Sequence, residues 1–154
     1  MDDTYWMQVA LAEAQRAFDD DEVPIGCVIV GAGGRLLAKA HNQMRRLKDP
    51  TAHAEILAIT QAANALQSER LTETSLYVTI EPCVMCIGAV FAARVQRLVF
   101  GALDAKAGAC GSVIDLPSQE RLNHHVSVTR GLLAAECGSM MSTFFERLRE
   151  QGKG

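Results

Sequence analysis

Apolar and polar positions change period several times along the chain, and each change marks an element. Residues 3–19 place Tyr5, Trp6, Val9, Ala10, Ala17 and Phe18 at helical spacing, and the acidic run "DDDE" with Pro24 ends that helix. "IGCVIV" (25–30) is a β-rich apolar run, "GAGG" a turn, and "RLLAKAHN" (35–42) the returning strand of a hairpin. Asp49-Pro50 punctuates before a helix over 53–67. "SLYVTI" (75–80) reads as a buried strand, "CVMCIGAVFAARV" (83–95) as an Ala-rich helix, and "RLVFGAL" (97–103) as another strand. Residues 104–124, with Gly108, Gly111 and Pro117, read as a functional loop. "HVSVTRG" (125–131) is strand or loop, and residues 132–149 form a last amphipathic helix. No repeat, low-complexity segment or linker interrupts the order. Strands and helices alternate after the hairpin, which predicts an α/β fold with a mixed sheet and helices on its faces.

Length and composition narrow this picture. A chain of 154 residues suits one domain, 1–154, around one core. With 49% apolar and 21% charged residues the chain reads as a soluble globular protein, and no apolar run suffices for a bilayer. The acidic start "MDDTYWMQVA" does not read as a signal peptide. Five cysteines, at 27, 83, 86, 110 and 137, are odd in number and unevenly spaced. Reduced thiols in the cytoplasm, some of them on a metal, explain them better than disulfides. A net charge of −3 gives no overall pull towards nucleic acid, and leaves room for a local basic patch.

Two stretches carry chemistry: "PTAHAE" and "EPCVMC". Cys83 and Cys86, three apart at a helix start, put both sulfurs on one face, where the helix terminus favours anionic sulfur. With His53 they make a His-Cys-Cys set, the three-ligand pattern of a catalytic Zn²⁺ site with one open position. Two thiolates cancel the charge of the ion, which raises the value of a general base, and Glu55 is placed to be that base. The spacing H-x-E…P-C-x-x-C is the signature of zinc nucleobase deaminases. Other readings are a thioredoxin-type redox pair, which would lack the upstream His-x-Glu, and a structural zinc with Cys110 or Cys137 as fourth ligand.

Taken together, "DPTAHAE", "LYVTIEPCVMC", "GALDAKAG", "LNHHV" and "FFERLR" resemble the bacterial tRNA-specific adenosine deaminases, over about residues 4–149. The zinc motif alone marks the superfamily. "DAKAG" with the following "GS", "LNH" and "FF" is the more specific part. The resemblance implies a three-layer α/β/α fold of the cytidine deaminase type around a five-stranded mixed sheet. It also implies a zinc-dependent homodimer that hydrolytically deaminates adenosine to inosine at the wobble position of a tRNA anticodon. Two positions depart from many relatives: Leu103 precedes Asp104 where Arg is common, and Glu146 stands where some have Arg.

Further residues take roles from the resemblance that the residues alone would not assign. Asn42 would hydrogen-bond the purine edge, although by itself it is a strand end. Val23 and Ile25 would wall the flipped base, or serve as ordinary core. Asp104 and Lys106 would reach ribose and phosphate, and Asn123 the anticodon loop. Phe144 and Phe145 point about 100° apart on a helix, so one can pack inward while the other is more exposed, unless both are core; by the resemblance Phe145 would stack in the splayed loop. Arg149, a turn away, would join it, and Lys106, Arg121, Arg147 and Arg149 would cluster at the pocket mouth. The competing functions are a free-purine deaminase of guanine type, a deoxycytidylate deaminase, and a non-catalytic zinc-stabilised binding module. The second tends to carry Asn where this chain has Leu57, and the third has no use for Glu55.

Overall fold

A computed structural model of the chain describes residues 1–152, so the expected domain end at 154 lies just outside the described residues. Among the described residues five strands form one sheet: β1 (Gly26–Val30), β2 (Leu36–His41), β3 (Ser75–Ile80), β4 (Arg97–Ala102) and β5 (Ser127–Thr129), in the order β2-β1-β3-β4-β5. β1 pairs antiparallel with both β2 and β3, whereas β3–β4 and β4–β5 are parallel, so the sheet is mixed.

The helices are α1 (Asp3–Asp19), a short α2 (Met44–Leu47), α3 (Ala54–Leu66), α4 (Val84–Ala93) and α5 (Ala134–Glu150). Side chains of the central strands alternate between two apolar clusters, as the pleat requires. Cys27, Ile29, Leu76, Val78, Leu98 and Phe100 face α3 and α4. Val28, Val30, Tyr77 and Val99 face α1 and α5. Burial on both faces explains why β1, β3 and β4 read as near-continuous apolar runs. The result is three layers, helices–sheet–helices. α1 lies so close to the sheet that a Cβ at Gly26 would meet the backbone of Ala10 and Ala14.

Two details differ from the sequence reading. Residues 44–47 form a helical turn, held because the buried Glu22 carboxylate accepts the N–H groups of Arg45 and Arg46 at 3.1 and 2.8 Å. The ambiguous "HVSVTRG" contributes the edge strand β5, whose partner β4 decides between strand and loop. No helix among the described residues is long and apolar enough to cross a membrane.

Candidate active site

α3 and α4 begin at the same place, and each begins on an unusual residue. The N-caps are His53 and Cys83, both in extended conformation, and neither side chain caps its helix. A cap residue would ordinarily spend its side chain on the free N–H groups of the first turn. Here His53 Nδ1 faces the sulfurs instead, 3.7 Å from Cys83 Sγ and 3.5 Å from Cys86 Sγ. Ligand atoms of these three residues lie within 4.8 Å of one another, and no other such group of His, Cys, Asp or Glu occurs among the described residues. Cys110 and Cys137 are buried away from this set, which leaves it with three donors.

Electrostatics mark the same point. Hydrogen bonds from Cys86 and His53 hold the Cys83 thiol down at about 3. The shared hydrogen bond with Cys83, and then burial, push the Cys86 thiol up. Glu55, in the first turn of α3, is 4% exposed, and its Oε1 has no hydrogen-bond partner. Burial raises its pKa. An unpaired buried carboxylate oxygen is costly and marks a group kept for chemistry. One imidazole, two sulfurs on a helix start and a free carboxylate oxygen beside them fit a tetrahedral zinc centre with an open position.

Beyond this centre, an open cavity of about 1020 Å³ is bounded by Val23, Ile25, Ile80, the 102–107 segment and the exposed side of α5. It gathers Val23, Ile25, Asp104, Lys106, Phe145 and Arg149 from three separate parts of the chain. Asn42 lies beside it: its side-chain N–H donates to the Val23 carbonyl at 3.3 Å, while its Oδ1 accepts from Met44 N–H at 3.2 Å. Asn42 thus arrives with half its amide already engaged. Phe144 is 1% exposed and packs edge-on against Phe18, whereas Phe145 is 38% exposed at the cavity.

Three assignments meet a different geometry. The Asp104 carboxylate already accepts the N–H groups of Lys106 and Ala107, so one of its oxygens shapes its own loop. Asn123 does not line the cavity. Its neighbour His124 bonds the Val95 carbonyl at 2.6 Å and packs edge-on to Phe91, at the end of α4 remote from Cys83. Arg147 pairs with Asp21 at 2.9 Å and covers Phe18, so it is not at the cavity mouth, and neither is Arg121. Sequence reasoning missed Glu81, whose buried carboxylate bonds the 104–112 loop. Its only signal was a carboxylate closing an apolar strand.

Comparison with known proteins places this geometry in context. Residues 1–102 match the model of the cytidine and deoxycytidylate deaminase zinc-binding region. The tRNA-specific adenosine deaminase of Bacillus subtilis is 46% identical over 151 residues, 98% of this chain and 93% of that one. The Haemophilus influenzae protein of the same name is 43% identical, over 98% of this chain and 87% of its own length. A solved structure from a study of A-to-I editing by tRNA:A34 deaminases at the wobble position superposes with a TM-score of 0.85 at 46% identity, covering 89% of this chain and 99% of that one. A guanine deaminase from Nitrosomonas europaea shares the fold at 26% identity and a TM-score of 0.79, over 93% of this chain and 84% of its own.

Proposed function

Because this chain belongs to the zinc-binding cytidine and deoxycytidylate deaminase family, and within it to the tRNA-specific adenosine deaminases, we propose that it hydrolytically converts adenosine to inosine at the wobble position of a tRNA anticodon. The observation that carries the chemistry is the buried, unpaired Glu55 Oε1 beside the His53–Cys83–Cys86 set. His53, Cys83 and Cys86 would hold Zn²⁺, which supplies a Lewis acid that makes water acidic near neutral pH. Glu55 moves the protons. Its carboxylate takes one from the attacking water and delivers it to N1 as the oxygen adds at C6, then carries the remaining hydroxyl proton from that oxygen to the amino group as the C6–N bond breaks. Ammonia leaves and the base keeps the oxygen. Val23 and Ile25 wall the extruded base, and the remaining donor and acceptor capacity of Asn42 meets its edge.

The single test is sequencing of tRNAs after incubation with the zinc-loaded protein. Inosine at the wobble position is expected, with ammonia release from guanine, free adenosine and deoxycytidylate as controls. Release from guanine with unmodified tRNA would favour the free-purine alternative. Work on tRNA implies a cytoplasmic protein, with the whole chain serving as one deaminase unit.

Two terms would hold the RNA, and substitutions separate them. Lys106→Ala and Arg149→Ala should weaken binding and flatten its salt dependence, since each lost phosphate contact releases about one counterion fewer. Phe145→Ala should cost about 1–3 kcal/mol per stacked base with little change of salt slope. Binding and inosine formation across a salt series read both. Unchanged tRNA kinetics in all three variants would remove the RNA from this cavity.

The chain is further proposed to act as a homodimer. α4 exposes Val84, Gly88 and Ala92, one stripe at i, i+4, i+8, and among the described residues nothing beyond the helix's own adjoining backbone lies within 4 Å of a Cβ added at Gly88. Gly88→Arg should therefore leave the fold of each copy intact and obstruct close approach of a second. Light scattering should give the dimer mass for the parent and the monomer mass for the variant, with the variant's circular dichroism spectrum unchanged. A dimer that survives the substitution would move the interface off this helix.

A further inference from the structure

The deamination chemistry leaves one buried carboxylate unused. Glu81 follows β3 directly, precedes Pro82 and Cys83, and is 3% exposed. Both of its oxygens are committed to one loop. Oε1 accepts the Asp104 N–H at 3.1 Å and the Ser112 hydroxyl. Oε2 accepts the N–H groups of Cys110 at 2.9 Å and Ser112 at 3.1 Å. Gly108 sits against the same carboxylate, where an added Cβ would fall on its atoms. Two backbone ties complete the junction: Glu81 N–H to the Ala102 carbonyl, and Ala109 N–H to the Pro82 carbonyl, both 2.8 Å.

A buried carboxylate is not a cheap way to stabilise a fold, and an apolar side chain often does as well. What it adds is direction, because bonds to an ionised acceptor are strong and fix several donors at once. Between β4 and β5 the chain has no helix or strand of its own to set its shape. The loop that closes on Glu81 carries Asp104 and Lys106 into the large cavity, and the Glu81–Pro82 peptide leads straight into Cys83.

We propose that Glu81 is a positioning residue for the substrate: its carboxylate holds the 104–112 loop in the shape that receives tRNA, and ties that loop to the peptide presenting Cys83. The inference rests on the wobble-deaminase reading of the cavity. Loss of the anchor then weakens capture of the RNA without touching proton transfer, which is a KM effect with kcat retained.

The test uses the zinc-loaded protein with an anticodon stem-loop and compares three variants. Glu81→Gln keeps the size of the side chain and replaces one acceptor by a donor facing the loop amides. Gly108→Ala keeps the carboxylate and pushes the loop off it. Ser112→Ala removes a single donor. Glu81→Gln and Gly108→Ala should each raise KM by about tenfold at kcat within about twofold and zinc unchanged, with Ser112→Ala smaller in the same direction. Amide hydrogen exchange at Asp104, Cys110 and Ser112 should speed up in Glu81→Gln. Should Glu81→Gln fail to fold, Gly108→Ala decides. Faster exchange with unchanged KM, or a fall of kcat or zinc in place of the KM effect, overturns the proposal. If the parent protein itself makes no inosine, the wobble reading is what fails. Exchange alone then decides whether Glu81 orders the loop, and unchanged exchange rejects the anchor as well.

Discussion

Glu55→Gln should yield a folded, zinc-loaded protein whose inosine formation is lower by about 10⁴-fold, the upper end of what a general acid–base group contributes. The upper end is expected because one carboxylate serves every proton transfer in the cycle. Gln has the same size and cannot take a proton, so the lost function is isolated from packing. Stability should hold or rise, since the parent buries a carboxylate oxygen with no hydrogen-bond partner. Metal analysis, thermal melting and single-turnover inosine formation measure the three quantities on one preparation. Turnover near the parent rate would remove Glu55 from the proton path. Loss of zinc would instead make it a ligand.

Cys86→Ala should act in the opposite way, losing metal, activity and stability together. Cys86 is fully buried at the first turn of α4, and its sulfur is 3.5 Å from His53 Nδ1. Removing it leaves two donors at a site that needs three, so zinc occupancy should fall well below one per chain. Metal binding is coupled to folding, so the melting temperature should drop further than a lost side chain alone would explain. Chelation of the parent protein should reproduce that part of the shift. Cys83→Ala should behave alike. Full activity with no bound zinc, in either the parent or a variant, would sink the metal site.

These two predictions were within reach of the sequence because their determinants are local. Cys83 and Cys86 share a helix face by their spacing alone, and the H-x-E…P-C-x-x-C motif singles out His53 as a candidate ligand and Glu55 as the candidate proton carrier. The order of elements was legible for the same reason: β1, β3 and β4 are apolar runs of strand length, and α5 keeps a helical stripe. The divergence of Phe144 and Phe145 followed from the helical period, and the structure buries the first and exposes the second. The family resemblance added the substrate, which no period or spacing encodes.

What the sequence could not contain is which distant groups meet. The resemblance brings Asn123 to the anticodon loop and charge alone brings Arg147 to the pocket mouth, yet folding sets His124, the neighbour of Asn123, at the far end of α4 and turns Arg147 onto Asp21 and Phe18. Glu22 reaches α2, and Glu81 reaches the 104–112 loop, across 23 to 31 residues with no repeating pattern to announce the contact. A carboxylate in a sequence shows its charge and not its donors. Helix periods and ligand spacings are set by the backbone within a few residues, and so they are written locally. The cavity, the Glu81 anchor and the exposed face of α4 exist only after the sheet has closed and paid for its loops, because each depends on where separate segments stop relative to one another in space.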